Sequence, residues 1–142
     1  MTFPFIRKKV KILPNDEIVK VELEFETLLL CKYHILVNDP KINHPYIDKR
    51  GDNLNEEDDK YQIGFGKDSI GRKIWVSVKI FDLTGDGGDY EIKVIITQNG
   101  VAVEDGVLTT TKRKLKKGEN LHEHYFLAQL GNKFEKENND EQ

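Results

Sequence analysis

Two neighbouring segments of this chain alternate strictly between apolar and polar residues, and that pattern constrains the fold more than anything else in the sequence. Ile74, Val76, Val78 and Ile80 fall at every second position, as do Tyr90, Ile92, Val94 and Ile96. Side chains along a β-strand point to opposite faces in turn, so a period of two marks a strand with one buried face. Thr84-Gly85-Asp86-Gly87-Gly88-Asp89 separates the two segments, and Asn99-Gly100 joins the second to a third that ends near Leu108. Asn-Gly supplies the two left-handed positions of a tight hairpin turn. A two-residue loop there fixes a register in which Gln98 faces Val101, Ile96 faces Val103 and Val94 would face Asp105. An aspartate on that apolar face is costly unless paired. The ladder is therefore expected to bulge or end near Asp105-Gly106.

The same period extends upstream. In Ile18–Glu26, Val19, Val21, Leu23 and Phe25 face one way, and Lys20, Glu22, Glu24 and Glu26 face water. Phe5–Leu13 alternates more weakly and reads as an edge strand, its lysines deterring unwanted pairing. Leu28–Val37 is apolar on both faces, as a central strand covered on both sides would be, and His34 shares a face with Leu30 and Leu36. Tyr61–Phe65 reads as a short strand. Residues 121–130 fit either a last strand or a short helix capped by Asn120 and stopped by Gly131. The strand is preferred because seven or eight strands complete a two-layer sandwich. Asn38–Lys60 carries Pro40, Pro45, Gly51 and an acidic second half, and reads as a long mobile loop. Residues 132–142 read as a disordered polar tail. The expected architecture is all-β, an antiparallel two-layer sandwich formed by one domain over residues 1–131.

A chain of 142 residues can bury a core without metal or disulfide staples. With 25 acidic and 22 basic residues the net charge is −3. That balance argues against attraction of the whole domain to nucleic acid or to an anionic membrane. The single cysteine, Cys31, has no internal disulfide partner, and its apolar surroundings give an inert core thiol. No apolar run reaches the length of a membrane span. Met1–Pro14 lacks the apolar stretch of a secretory signal, so with Met1 as the true start the expected address is the cytoplasm.

Asp86-Gly87-Gly88-Asp89-Tyr90-Glu91-Ile92 resembles the D-x-G-x-Y-x-C stretch of immunoglobulin-like sandwiches. The resemblance implies that the Tyr90 hydroxyl bonds back to the main chain a few residues upstream, with Ile92 where that family's core cysteine stands. No cysteine pair exists, and Trp75 lies too close before Tyr90 to match the family's core tryptophan. The likeness supports an immunoglobulin-like or related sandwich and implies no function.

Asp82-Leu83-Thr84-Gly85-Asp86-Gly87 resembles the opening of an EF-hand calcium loop, although Lys93 occupies the place of its bidentate glutamate. A loop between strands could still gather Asp82, Asp86 and Asp89 around calcium; the ordinary reading is a solvated turn. His122 and His124 would project from one face of a strand, a spacing that zinc or copper can use. Their ordinary reading is the solvent face of a terminal strand. Lys112, Arg113, Lys114, Lys116 and Lys117 could grip phosphates, together with Arg7–Lys11 if the two ends of the chain lie side by side; they could also form a protein-binding patch or simply be solvated. Aromatics for base stacking are missing from that run, so nucleic acid is not expected there.

No catalytic constellation stands out. Ser69 and Ser77 lie in no G-x-S-x-G elbow, and Gly64–Ser69 lacks the phosphate-loop spacing. Trp75 and Phe81 share one side of their strand. If that side is the outer one they form an interface patch; if it is covered they are core. The expected function is a non-catalytic protein-binding or assembly module without cofactor. The alternative is a calcium- or zinc-dependent module built on the aspartates or the histidine pair. A weaker third reading is a hydrolytic or carbohydrate-processing enzyme with a scattered site.

Overall fold

The computed structural model describes residues 3–54 and 59–135. Ten strands and one helical turn follow in order: β1 (Ile6–Ile12), β2 (Ile18–Thr27), β3 (Leu30–Asn38), β4 (Ile47–Asp52), β5 (Asp59–Phe65), α1 (Gly66–Ser69), β6 (Lys73–Phe81), β7 (Gly88–Gln98), β8 (Val101–Thr109), β9 (Arg113–Leu115) and β10 (Leu121–Asn132). They form two five-stranded sheets. The first has the order β1-β10-β6-β3-β4, and the second β5-β2-β7-β8, with β9 pairing the start of β7 on the side that β8 takes further along.

The alternating residues make the core. Ile74, Val76, Val78 and Ile80 of β6 and Ile35 and Val37 of β3 point inward from the first sheet. They meet Val19 and Val21 of β2, Ile92, Val94 and Ile96 of β7, and Leu108 of β8 from the second. Burying an aliphatic side chain of this size stabilises by roughly 1.5–3 kcal/mol, so the period-two pattern is also the main source of stability.

The all-β two-layer expectation is shown, with four corrections. The sheets hold ten strands rather than seven or eight. They are not wholly antiparallel, because β1 runs parallel to β10, Ile6 opposite Phe126 through Ile12 opposite Asn132. Residues 38–60 are not one irregular loop, since β4 pairs β3 from Val37 opposite Ile47 to Lys32 opposite Asp52. The tail does not start at 132, because the 121–130 segment is a strand, the preferred of its two readings, and it continues to Asn132 opposite Ile12; residues 136–142 of the expected tail lie outside the described residues. β1 is an edge strand as expected, with β4 at the opposite edge.

At the Asn99-Gly100 turn both residues have positive φ, 54° and 78°, and Gln98 faces Val101. Thr97 then faces Ala102, but Ile95 faces Val107, so the ladder bulges between them, as anticipated around Asp105-Gly106. The labour is divided within the bulge. Asp105 takes the left-handed conformation at φ 59°. Gly106 is there for space, because a Cβ would lie 2.8 Å from the main-chain oxygens of Ile96 and Val103.

Candidate functional site

β6 runs through the middle of the first sheet, and its outward residues set the character of that face. Trp75 sits between Leu36 of β3 and Leu127 of β10, Ser77 between His34 and Tyr125, and Phe81 between Leu30 and Leu121. Ser77 is small and its row neighbours are large, so the face dips there. An open hollow of about 330 Å³ is lined by His34, Leu36, Asn38, Trp75, Ser77 and Tyr125.

Phe5, just ahead of β1, folds over the rim. Its ring lies 5.9 Å from Trp75 in an edge-on contact and 5.4 Å from Tyr125, and it remains 44% exposed. The Arg7 guanidinium rests over Phe5 at 5.7 Å, and the Lys32 ammonium over Phe81 at 6.0 Å. Two polar pairs fix the side chains beside the hollow. His34 Nε2 is 2.6 Å from Asp48, and the Tyr125 hydroxyl donates to Glu123 at 2.8 Å. The second bond, together with some desolvation, raises the Tyr125 pKa.

This settles the two readings of Trp75 and Phe81. Among the described residues no third layer covers the first sheet, so both lie on an outer face, half-buried by their row neighbours. β3 is correspondingly not covered on both sides; Leu30, His34 and Leu36 are part of the same face.

His122 and His124 are where sequence reasoning went furthest astray. β10 is flanked by β1 and β6, and both rings point inward, 3% and 1% exposed. They converge on the hydroxyl of Tyr90 in the opposite sheet, His122 Nδ1 at 2.8 Å and His124 Nε2 at 2.6 Å. The Tyr90 hydroxyl thus bonds the two imidazoles rather than the upstream main chain. Phe3 stacks on His124 at 4.3 Å, with the Arg113 guanidinium 5.3 Å from the other ring of that pair, Phe3.

The network assigns its own protons. His122 Nε2 faces the Glu119 carboxylate at 3.3 Å, too poorly aligned for a full hydrogen bond but enough to favour a proton on that nitrogen. His122 Nδ1 then accepts from Tyr90, and Tyr90 accepts from the Nε2–H of His124. The remaining His124 Nδ1 is a buried acceptor without a partner, which costs less than a buried N–H in the same position. Desolvation, helped by the Arg113 and His122 charges, lowers the His124 pKa to about 4. Desolvation likewise raises Tyr90 to about 12.

The aspartates do not gather. Asp82 accepts from the main-chain N–H of Gly87 at 2.7 Å, Gly85 at 2.9 Å and Thr84 at 3.2 Å, while Asp86 is exposed on the turn and Asp89 faces Lys114 across the β7–β9 pair. Desolvation would raise the Asp82 pKa, but these donors together lower it. Its carboxylate organises a turn. Among the described residues no three His, Cys, Asp or Glu side chains stand close enough to share a metal ion.

The basic run divides as well. Arg113 Nε donates to the Thr110 carbonyl at 2.9 Å, and Lys112, Arg113 and Lys114 line an open cleft shared with Glu26, Asp89 and Glu91. These carboxylates weaken any field the cations could offer an anion. β9 belongs to the second sheet and β1 to the first, so the basic run of 112–117 and that of Arg7–Lys11 do not form one surface of a single sheet. Cys31 is buried and its thiol is pushed up to about 12 by desolvation, an inert core residue as expected.

Sequence reasoning missed Phe5, His34, Leu36 and Tyr125 as parts of the outer face. Their only signal was parity: each falls on the side of its strand opposite the core residues. Comparison with protein-family models, with curated proteins and with solved structures gave no match.

Proposed function

We propose that this chain is a non-catalytic protein-binding or assembly module on an immunoglobulin-like or related sandwich, and that the outer face of its first sheet is the binding surface. The observation that carries this is the setting of Trp75. A large ring stands on an uncovered sheet face, held edge-on by Phe5 and bordering an open hollow with Tyr125 and Leu36. Interface energy concentrates in a few aromatic and arginine anchors beside such hollows. The titratable groups inside the molecule serve structure instead: Tyr90, His122 and His124 bond one another, and Asp82 is spent on a turn.

The test is affinity capture with wild-type protein and with Trp75→Ala. Trp75 rests on an open face, so its removal leaves the inter-sheet core intact and the variant keeps its strand content by circular dichroism. Truncating an anchor of this kind costs about 2 kcal/mol of binding or more, roughly thirtyfold in affinity. Partners held by the wild type should be lost by the folded variant. Retention of every partner at wild-type affinity removes this face from the proposal.

A further inference from the structure

The charge on the same face identifies the partner's chemistry. Arg7, Lys9, Lys32, Arg50, Lys73 and Lys79 all project outward from the first sheet, and among the described residues none of them is ion-paired. The carboxylates interspersed with them are Asp48, Asp52 and Glu123. The six cations outnumber them two to one, and all three carboxylates already accept a bond, Asp48 from His34, Glu123 from Tyr125 and Asp52 from the Leu54 main-chain N–H. The face therefore carries an excess of free positive charge on a chain whose total is −3. The second sheet differs in that cations and carboxylates pair on its outer side: Glu22 lies 3.8 Å from Lys60 and Glu26 lies 3.9 Å from Lys93.

We propose that the outer face of the first sheet docks an acidic protein segment, with an apolar side chain of that segment seated in the hollow beside Trp75. This rests on the reading of that face as the binding surface and names its ligand. Carboxylates of the segment would meet Lys32, Lys79 and Arg50 on one side of the hollow and Arg7 on the other. Unpaired surface cations of this kind raise encounter rates and reject like-charged partners, and the apolar anchor supplies the affinity. The hollow suits an aliphatic or phenyl group better than a run of bases. Leu36 and the Trp75 and Tyr125 rings supply its apolar wall beside His34, Asn38 and Ser77, and Phe5 stands at 82° to Trp75, so no row of open ring faces awaits stacking. A long polyphosphate would also meet the net negative charge of the rest of the chain.

Trp75 is the only tryptophan, so its fluorescence reports directly on the hollow. The full chain is titrated with a peptide of Glu-Glu-Phe repeats, with its Lys-Lys-Phe counterpart, and with a short oligothymidylate. The expected result is a saturable change with the Glu peptide alone, weakened about tenfold or more at high ionic strength. The paired reversal Lys32→Glu with Lys79→Glu, both exposed positions, should weaken it at least as much; it places like charges opposite Asp52 and Glu123, so the melting temperature falls somewhat, and circular dichroism checks that the variant titrated is folded. No response to the Glu peptide, or an equal response to the Lys peptide, overturns the inference. A tighter response to oligothymidylate overturns it in favour of nucleic acid. Failure here is separable from failure of the surface assignment. Captured partners lost by Trp75→Ala but kept by the charge reversal leave the binding face standing and remove its acidic ligand; partners kept by both variants remove the two together.

Discussion

At the residue scale the histidine pair shows how a buried titratable group ties stability to pH. His124 is 1% exposed and its pKa falls to about 4 in the folded chain, against an ordinary 6.5 when unfolded. The folded state therefore binds fewer protons than the unfolded state below pH 6.5, and unfolding stability falls as pH falls through that window. Between pH 7 and pH 5 this residue alone should remove about 2 kcal/mol, before most carboxylates begin to protonate. The polar groups packed against it are Tyr90 from β7, His122 from its own strand, and Arg113 from β9. His124→Gln cannot titrate. Urea midpoints of the variant should be flatter than wild type from pH 7 to pH 5, though lower at pH 7 because the relay to Tyr90 is altered. A variant with the full wild-type slope would show that His124 is not the proton-linked group. His122-Glu123-His124 was conspicuous in the sequence, but which face it occupied was not, because apolar residues stand on both sides of β10, Phe126, Ala128 and Leu130 with the histidines and Leu121, Tyr125 and Leu127 opposite.

At the scale of elements, the strands that build the core were legible and the strands recruited to it were not. β2, β6 and β7 declare themselves through period two, because each contributes a continuous buried row, and β8 is announced by the Asn99-Gly100 turn before it. β4 has no such row. Asp48, Lys49 and Arg50 are all exposed, and the segment is a strand because β3 offers it a ladder. β9 is only three residues long, and the parallel pairing of β1 with β10 joins the two ends of the chain, where local pattern is silent. The candidate site was half legible for the same reason. Trp75 and Phe81 stood on one strand, but Tyr125 joins their face only through the pairing of β10 with β6, and Phe5 reaches Trp75 only through that of β1 with β10. The β7–β8 bulge was readable from a buried-charge conflict, and it can be tested through its glycine. In Gly106→Ala the new methyl meets two main-chain oxygens at 2.8 Å and cannot be accommodated by turning a side chain. It should destabilise by about 2 kcal/mol, the ordinary cost of overpacking a fixed backbone. Gly100→Ala meets nothing within 4 Å but keeps a φ of 78°, so it should cost only about 1 kcal/mol. Urea denaturation of the two variants checks the order; equal losses would mean that the close approach at Gly106 relaxes freely.

At the scale of the molecule, two apolar sheet faces can slide over one another, and polar ties between them set one alignment. Tyr90 reaches His122 and His124 near Ile80, at the far end of β6. Arg72 provides the tie at the other end, immediately before β6 begins. Its Nε donates to Asp39 at 2.7 Å, and its Nη1 donates to the Ile63 carbonyl at 2.7 Å and to Ser69 Oγ at 3.3 Å. The Tyr46 ring lies 4.1 Å from the guanidinium carbon. Asp39 follows β3 in the first sheet and Ile63 lies in β5 of the second, so one side chain holds both sheets. The Asp39 pKa is lowered by the Lys41 N–H and then by Arg72. Gly64 leaves room for the clamp, since a Cβ there would be 2.7 Å from Nη1. Arg72 is itself 6% exposed. Arg72→Ala would leave the Asp39 carboxylate without its countercharge, held only by the Lys41 N–H, and the Ile63 carbonyl without this donor, and breaking a buried pair in this way costs about 3–5 kcal/mol. The loss should be uneven. β5 is an edge strand paired only with β2 and held to the first sheet here and through Tyr61 and Asp59 to Tyr33. Amide exchange in Arg72→Ala should therefore accelerate first in β5 and α1, under conditions where β6 and β10 stay protected. Uniform acceleration across both sheets would show instead that Arg72 supports the molecule as a whole and sets no local alignment.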